Sequence, residues 1–71
     1  MELYLKNDNQ NSFQSVMLGL MAHCGYGMLQ AEQAAVIAHN KGEYKIKEGD
    51  YLKLEEIRDG LESFNLKVDM R

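Results

Sequence analysis

The chain of 71 residues makes a single domain, residues 1–71, and its core must be small, near the lower limit for a domain that folds without a staple. Eight Lys and Arg stand against eleven Asp and Glu, for a net charge of -3 with no basic cluster, which argues against nucleic acid as a partner. With 45% hydrophobic residues and no proline the composition is globular; the apolar run 16–24, broken by Gly19 and His23, falls short of the roughly 20 residues a bilayer needs.

Residues 2–5, ELYL, predict a short strand, and the polar series Asn7, Asp8, Asn9, Gln10 and Asn11 follows it. Apolar residues then recur at Phe13, Val16, Met17, Leu20, Met21 and Cys24, the stripe of an amphipathic helix, with Asn11 expected as its N-cap and Gln14 completing a capping box. Gly25-Tyr26-Gly27 interrupts. Residues 28–39 predict a second helix with Ala31, Ala34, Ala35 and Ala38 on a thin face, stopping near 40–42, where Gly42 suits the left-handed position after a helix. Residues 43–47 alternate, with Tyr44 and Ile46 on one side of a strand. Asp50 is the expected cap of a third helix buried through Leu54, Ile57, Leu61 and Phe64 and ending near Asn65; residues 66–70 close a third strand, with Leu66, Val68 and Met70 on one side. The order β-α-α-β-α-β is that of an α+β fold: a three-stranded antiparallel sheet with three helices packed on one face.

Two helices of about 12 residues joined by three must run antiparallel, so the start of the first lies beside the end of the second. His39 is thereby expected next to residues 7–11. A neutral imidazole offers one lone pair, and the oxygens of Asn7, Asp8 and Asn9 add acceptors and a negative charge. A protonated primary amine, with three donors and no acceptor, is the matching ligand. One turn further in, Phe13, Val16, Met17 and Ala35 are apolar, so a peptide with a free α-amino group and a large apolar first side chain fits both features. The plainer reading also stands: short polar residues between a strand and a helix are common turn and cap chemistry, and a histidine near a helix end favours its dipole.

At residues 7–16, N-D-N-Q-N-S-F-Q-S-V, and 35–43, A-V-I-A-H-N-K-G-E, the chain resembles the ClpS adaptors of the bacterial N-degron pathway, with 32 residues from Asn7 to His39 and no gap. The run A-E-Q-A-A-V-I-A-H is similar to that of Bacteroidetes-type members. The resemblance implies an adaptor that binds substrate proteins through an N-terminal Leu, Phe, Tyr or Trp and hands them to a Clp-type AAA+ unfoldase, ClpA or ClpC. It implies that Asn7, Asn9 and His39 hold the α-ammonium with Asp8 alongside. Asn11, at the rim, stands where the family usually has threonine. Phe13, Val16 and Ala35 would line or gate the side-chain pocket; from their flexible thioether chains, the methionines are expected to be mostly core, with Met17 or Met21 able to make the pocket adaptable. Three departures are expected to matter. Asn9 replaces an acidic residue and weakens the attraction for an ammonium; Glu43 replaces a lysine on a surface turned toward the unfoldase; and the lead of six residues before Asn7 is short for delivery.

Other chemistry is weakly signalled. His23 and Cys24 are adjacent on a helix, without the i, i+4 spacing of a ligand pair, and His39 belongs to the far end of the helical hairpin. Neither metal nor cofactor is expected. The sequence has no paired acids, activated nucleophile or phosphate loop, so an enzyme is not expected. The lone Cys24 excludes an internal disulfide and favours a reducing, cytoplasmic setting. The alternative function is a protein-docking domain of the same fold, similar to the C-terminal domain of the ribosomal stalk protein, which lacks an amine pocket.

Overall fold

The computed structural model describes residues 1–7 and 10–71; Asp8 and Asn9 lie outside the described residues. The elements are β1 (Glu2–Lys6), α1 (Phe13–Cys24), α2 (Met28–Lys41), β2 (Glu43–Glu48), α3 (Tyr51–Ser63) and β3 (Val68–Met70). Their order is the expected β-α-α-β-α-β, and β1 lies between β2 and β3, antiparallel to both.

Strand β1 alternates as a one-sided strand must. Leu3 and Leu5 are buried against the helical layer, whereas Glu2, Tyr4 and Lys6 face the opposite way. Strand β2 is less regular. Leu3 is opposite Lys47 but Tyr4 is opposite Lys45, so Ile46 is an extra residue, a β-bulge. The Ile46 side chain is buried, and its carbonyl accepts a 2.6 Å hydrogen bond from the Tyr26 hydroxyl in the α1–α2 turn. Burial pushes the Tyr26 phenol up to about 12. The third strand is shorter than expected: residues 66 and 67 precede the ladder, and Leu66 is a buried core residue.

The helix ends follow their local chemistry, with one correction. Asn11 is not the N-cap of α1, and the capping box with Gln14 does not form. Ser12 is the cap, its hydroxyl accepting from the Ser15 amide at 3.1 Å. The Asn11 carboxamide instead donates to the Asn65 carbonyl at 2.8 Å, tying the loop before α1 to the turn after α3. That turn has Asn65 at φ 66°, a left-handed position that asparagine tolerates better than most residues. Asp50 caps α3 as expected, accepting from the Lys53 amide at 3.0 Å. Helix α2 runs two residues past His39, to Lys41, and ends on Gly42 at φ 92°.

The core joins Leu3 and Leu5 to Leu20, Cys24, Ala31, Ala34, Ala38, Ile46, Leu54, Leu61 and Leu66. Four leucines (Leu3, Leu20, Leu54, Leu61) are essentially inaccessible, each stabilising by about 1.5–3 kcal/mol relative to exposure. Gly19 is needed for close approach: a Cβ there would sit 2.7 Å from a methyl carbon of Leu66. Among the described residues no helix is long and apolar enough to cross a membrane.

Candidate functional site

Antiparallel packing of α1 and α2 brings the two ends of the polar signal together. The Asn7 amide donates to the Gly42 carbonyl at 2.8 Å, and the Gly42 amide donates to the Ala38 carbonyl at 2.9 Å. The exit of β1 is thus fastened to the end of α2, one turn from His39. The His39 imidazole meets the Phe13 ring edge-on, with centroids 5.4 Å apart and planes at 63°. Neither the imidazole nor the Asn7 carboxamide forms a hydrogen bond with another described residue.

Between them opens a recess of about 190 Å³. Its apolar part comes from Leu5, Val16, Ala35, Ala38 and Leu66, with Phe13 at the edge; its polar part comes from Asn7, Asn11, Ser12 and His39, with Lys6 and Lys67 alongside. Ala35 and Ala38 are why there is room. They are the lower end of the alanine stripe that lets α2 approach the sheet, and their single methyls leave the space beyond unfilled.

Of the residues singled out in the sequence, Asn7, Asn11, Phe13, Val16, Ala35 and His39 all line this recess. Met17 does not: it is half-buried and packs against the core on a neighbouring face of α1. Asp8 and Asn9 fall outside the described residues. Sequence reasoning missed Leu5, Lys6, Ser12, Ala38, Leu66 and Lys67. Ala38 was signalled by its spacing from Ala35, and Leu66 and Lys67 arrive only through the return of the chain along β3.

Lys6 is adjacent to Asn7 and would oppose a cationic ligand, but it is neutralised from β2. Its Nζ donates to Glu43 Oε1 at 2.7 Å, and Arg71 holds the same carboxylate with two bonds of 2.8 and 2.6 Å. Hydrogen bonds from Arg71 and then Lys6 lower the Glu43 carboxyl to about 2. Glu43 itself raises the Arg71 guanidinium. Arg71 also bonds Asp69 at 2.8 Å and lies 4.2 Å over the Tyr4 ring.

A second, more open concavity of about 300 Å³ is lined by Ala22, His23, Cys24, Lys47, Lys53, Glu56 and Ile57. Burial pushes the Cys24 thiol up to about 11, the opposite of what a nucleophile needs. His23 is taken up by an edge-on contact with Phe64, centroids 5.4 Å apart. Among the described residues no group of three potential metal ligands converges.

The fold is thus a small antiparallel sheet under three helices, and the recess beside the helical hairpin combines a polar corner with an apolar floor. The family model of the ATP-dependent Clp protease adaptor protein ClpS matches residues 1–69, and the chain belongs to that family. Its role is that of an adaptor of the Clp protease, its partners are Clp protease components and their substrates, and the family is not a catalytic one. No curated protein matches the chain.

Proposed function

We propose that the recess receives the first residue of substrate proteins, its α-ammonium against Asn7 and His39 and its Leu, Phe, Tyr or Trp side chain on the floor of Val16, Ala35 and Ala38. Asp8 and Asn9, by their position in the sequence, belong to the same ammonium site. The bound protein is then delivered to a Clp-type AAA+ unfoldase, ClpA or ClpC, for degradation. The observation that carries this reading is the juxtaposition of two polar side chains that form no hydrogen bond with another described residue and a recess of about 190 Å³ with an apolar floor. Both side chains are exposed, and the apolar floor beside them lets a ligand that brings donors to the corner bury its own apolar side chain in the same step.

The test is a peptide panel. A labelled peptide beginning with free Phe or Leu binds with a Kd of about 1 μM or tighter, roughly -8 kcal/mol. Acetylating its amino group removes the charge and two donors and abolishes binding. Equal affinity for the acetylated peptide would sink the ammonium site and leave the docking-domain alternative. The Asn9 side chain carries no charge, so the Asn9→Asp variant is expected to bind more tightly than the natural chain.

A further inference from the structure

We propose that Lys67 makes this adaptor favour substrates whose second residue is acidic, an inference that rests on the ammonium-site reading above. Two lysines line the recess, and they differ in one respect. Lys6 is held at 2.7 Å by Glu43 and presents little net charge. Lys67 is exposed and has no ion pair among the described residues. Its backbone is fixed, since the Lys67 carbonyl accepts from the Lys6 amide at 2.9 Å, and the neighbouring Leu66 is anchored in the core.

The layout of the recess gives the direction. An ammonium at Asn7 and His39, with its side chain on the apolar floor, leaves the rim of Asn11, Ser12 and Lys67 for the rest of the substrate chain. A carboxylate on the second residue then comes within reach of an unpaired ammonium, and a second-residue lysine meets a like charge. The bulk charge of the protein works the other way. At -3 it attracts cationic peptides generally, so a preference for an acidic residue has to be local.

The experiment compares peptides with a free α-amino group that begin Phe-Asp, Phe-Ala or Phe-Lys and are identical beyond the second residue, on the natural chain, Lys67→Met and Lys67→Glu. All three proteins should share one melting temperature, since the Lys67 side chain supports no described contact. On the natural chain Phe-Asp is expected to bind about two- to fivefold tighter than Phe-Lys, the scale of a solvent-exposed pair. Lys67→Met should flatten this ranking, Lys67→Glu should reverse it, and about 1 M salt should remove it. A flat ranking, or tighter binding of Phe-Lys, on a natural chain that still rejects the acetylated peptides would overturn the role of Lys67 alone. Equal binding of acetylated peptides would overturn the role of Lys67 together with the reading beneath it.

Discussion

The outer face of the sheet and the mouth of the helical recess lie on either side of Asn7, and they treat similar polar side chains in opposite ways. On the sheet, Lys6, Glu43, Arg71 and Asp69 join in a chain of contacts of 2.6–2.8 Å, and Lys45 reaches Glu2 at 3.5 Å and Glu48 at 3.7 Å. At the recess, His39 touches only an aromatic edge, and the Asn7 side chain has no described partner. The first arrangement satisfies itself and resists an outside ligand. The second keeps its hydrogen-bonding capacity for something that arrives. The charged face also shields the open corner, because Glu43 neutralises the lysine next to Asn7. Glu43 therefore has a local role beside the site.

Substitution at the two places sharpens this contrast, with the largest effect expected at the recess. His39→Ala should weaken binding of a Phe-leading peptide by about 1–3 kcal/mol while leaving the melting temperature unchanged, because the exposed ring supports no described hydrogen bond. Calorimetry on the same samples reads both quantities. A parallel fall in stability would make His39 a structural residue instead. Next comes Ala35→Met, which places a flexible chain where a methyl made room. Trp- and Tyr-leading peptides should lose about tenfold in affinity relative to Leu-leading ones, within the range for a few methylenes in a pocket. Unchanged ratios would show that the first side chain lies elsewhere.

The scaffold effects are smaller. Ser12→Ala removes the N-cap of α1 and should destabilise the fold by about 1 kcal/mol, read by urea denaturation, whereas Asn11→Ala should leave the helix cap intact and loosen the tie to Asn65. The charged face gives the slightest effect at neutral pH and shows itself in acid. Glu43 titrates near 4.5 in the unfolded chain and at about 2 when folded. Its contribution is fully present above 4.5 and is lost as the pH falls from there toward 2. Glu43→Gln should flatten the acid limb of the stability profile over that interval, and an unaltered limb would mean that the ion pairs are screened away in solution.

Much of this molecule was legible because its elements are one-sided. Leu3 and Leu5, the alanines of α2, Asp50 before α3 and Gly42 after α2 each carry a local signal strong enough to stand without tertiary context. The antiparallel helical hairpin followed from the three-residue link, and with it the meeting of His39 and Asn7. What could not be read depends on distant partners. Asn11 and Ser12 are both competent caps, and the choice was made by the Asn65 carbonyl, 54 residues away in sequence. Met17 fits the apolar period as well as Val16, but a shift of one position, about 100° around the helix, turns it from the recess to the core. The bulge at Ile46 leaves no mark in an alternating strand, since its carbonyl is taken by Tyr26 from another turn. Lys67 belongs to the recess only because β3 pairs with β1, a long-range consequence that no local pattern announces.

The bond from the Asn7 amide to the Gly42 carbonyl makes the two flanks of the corner a single mechanical unit. Fraying of the last turn of α2 and loosening of the loop after β1 must then occur as one opening event. The Asn7 proton is accordingly a natural gauge of that event, and a seated guest should slow its exchange with deuterium together with that of Gly42.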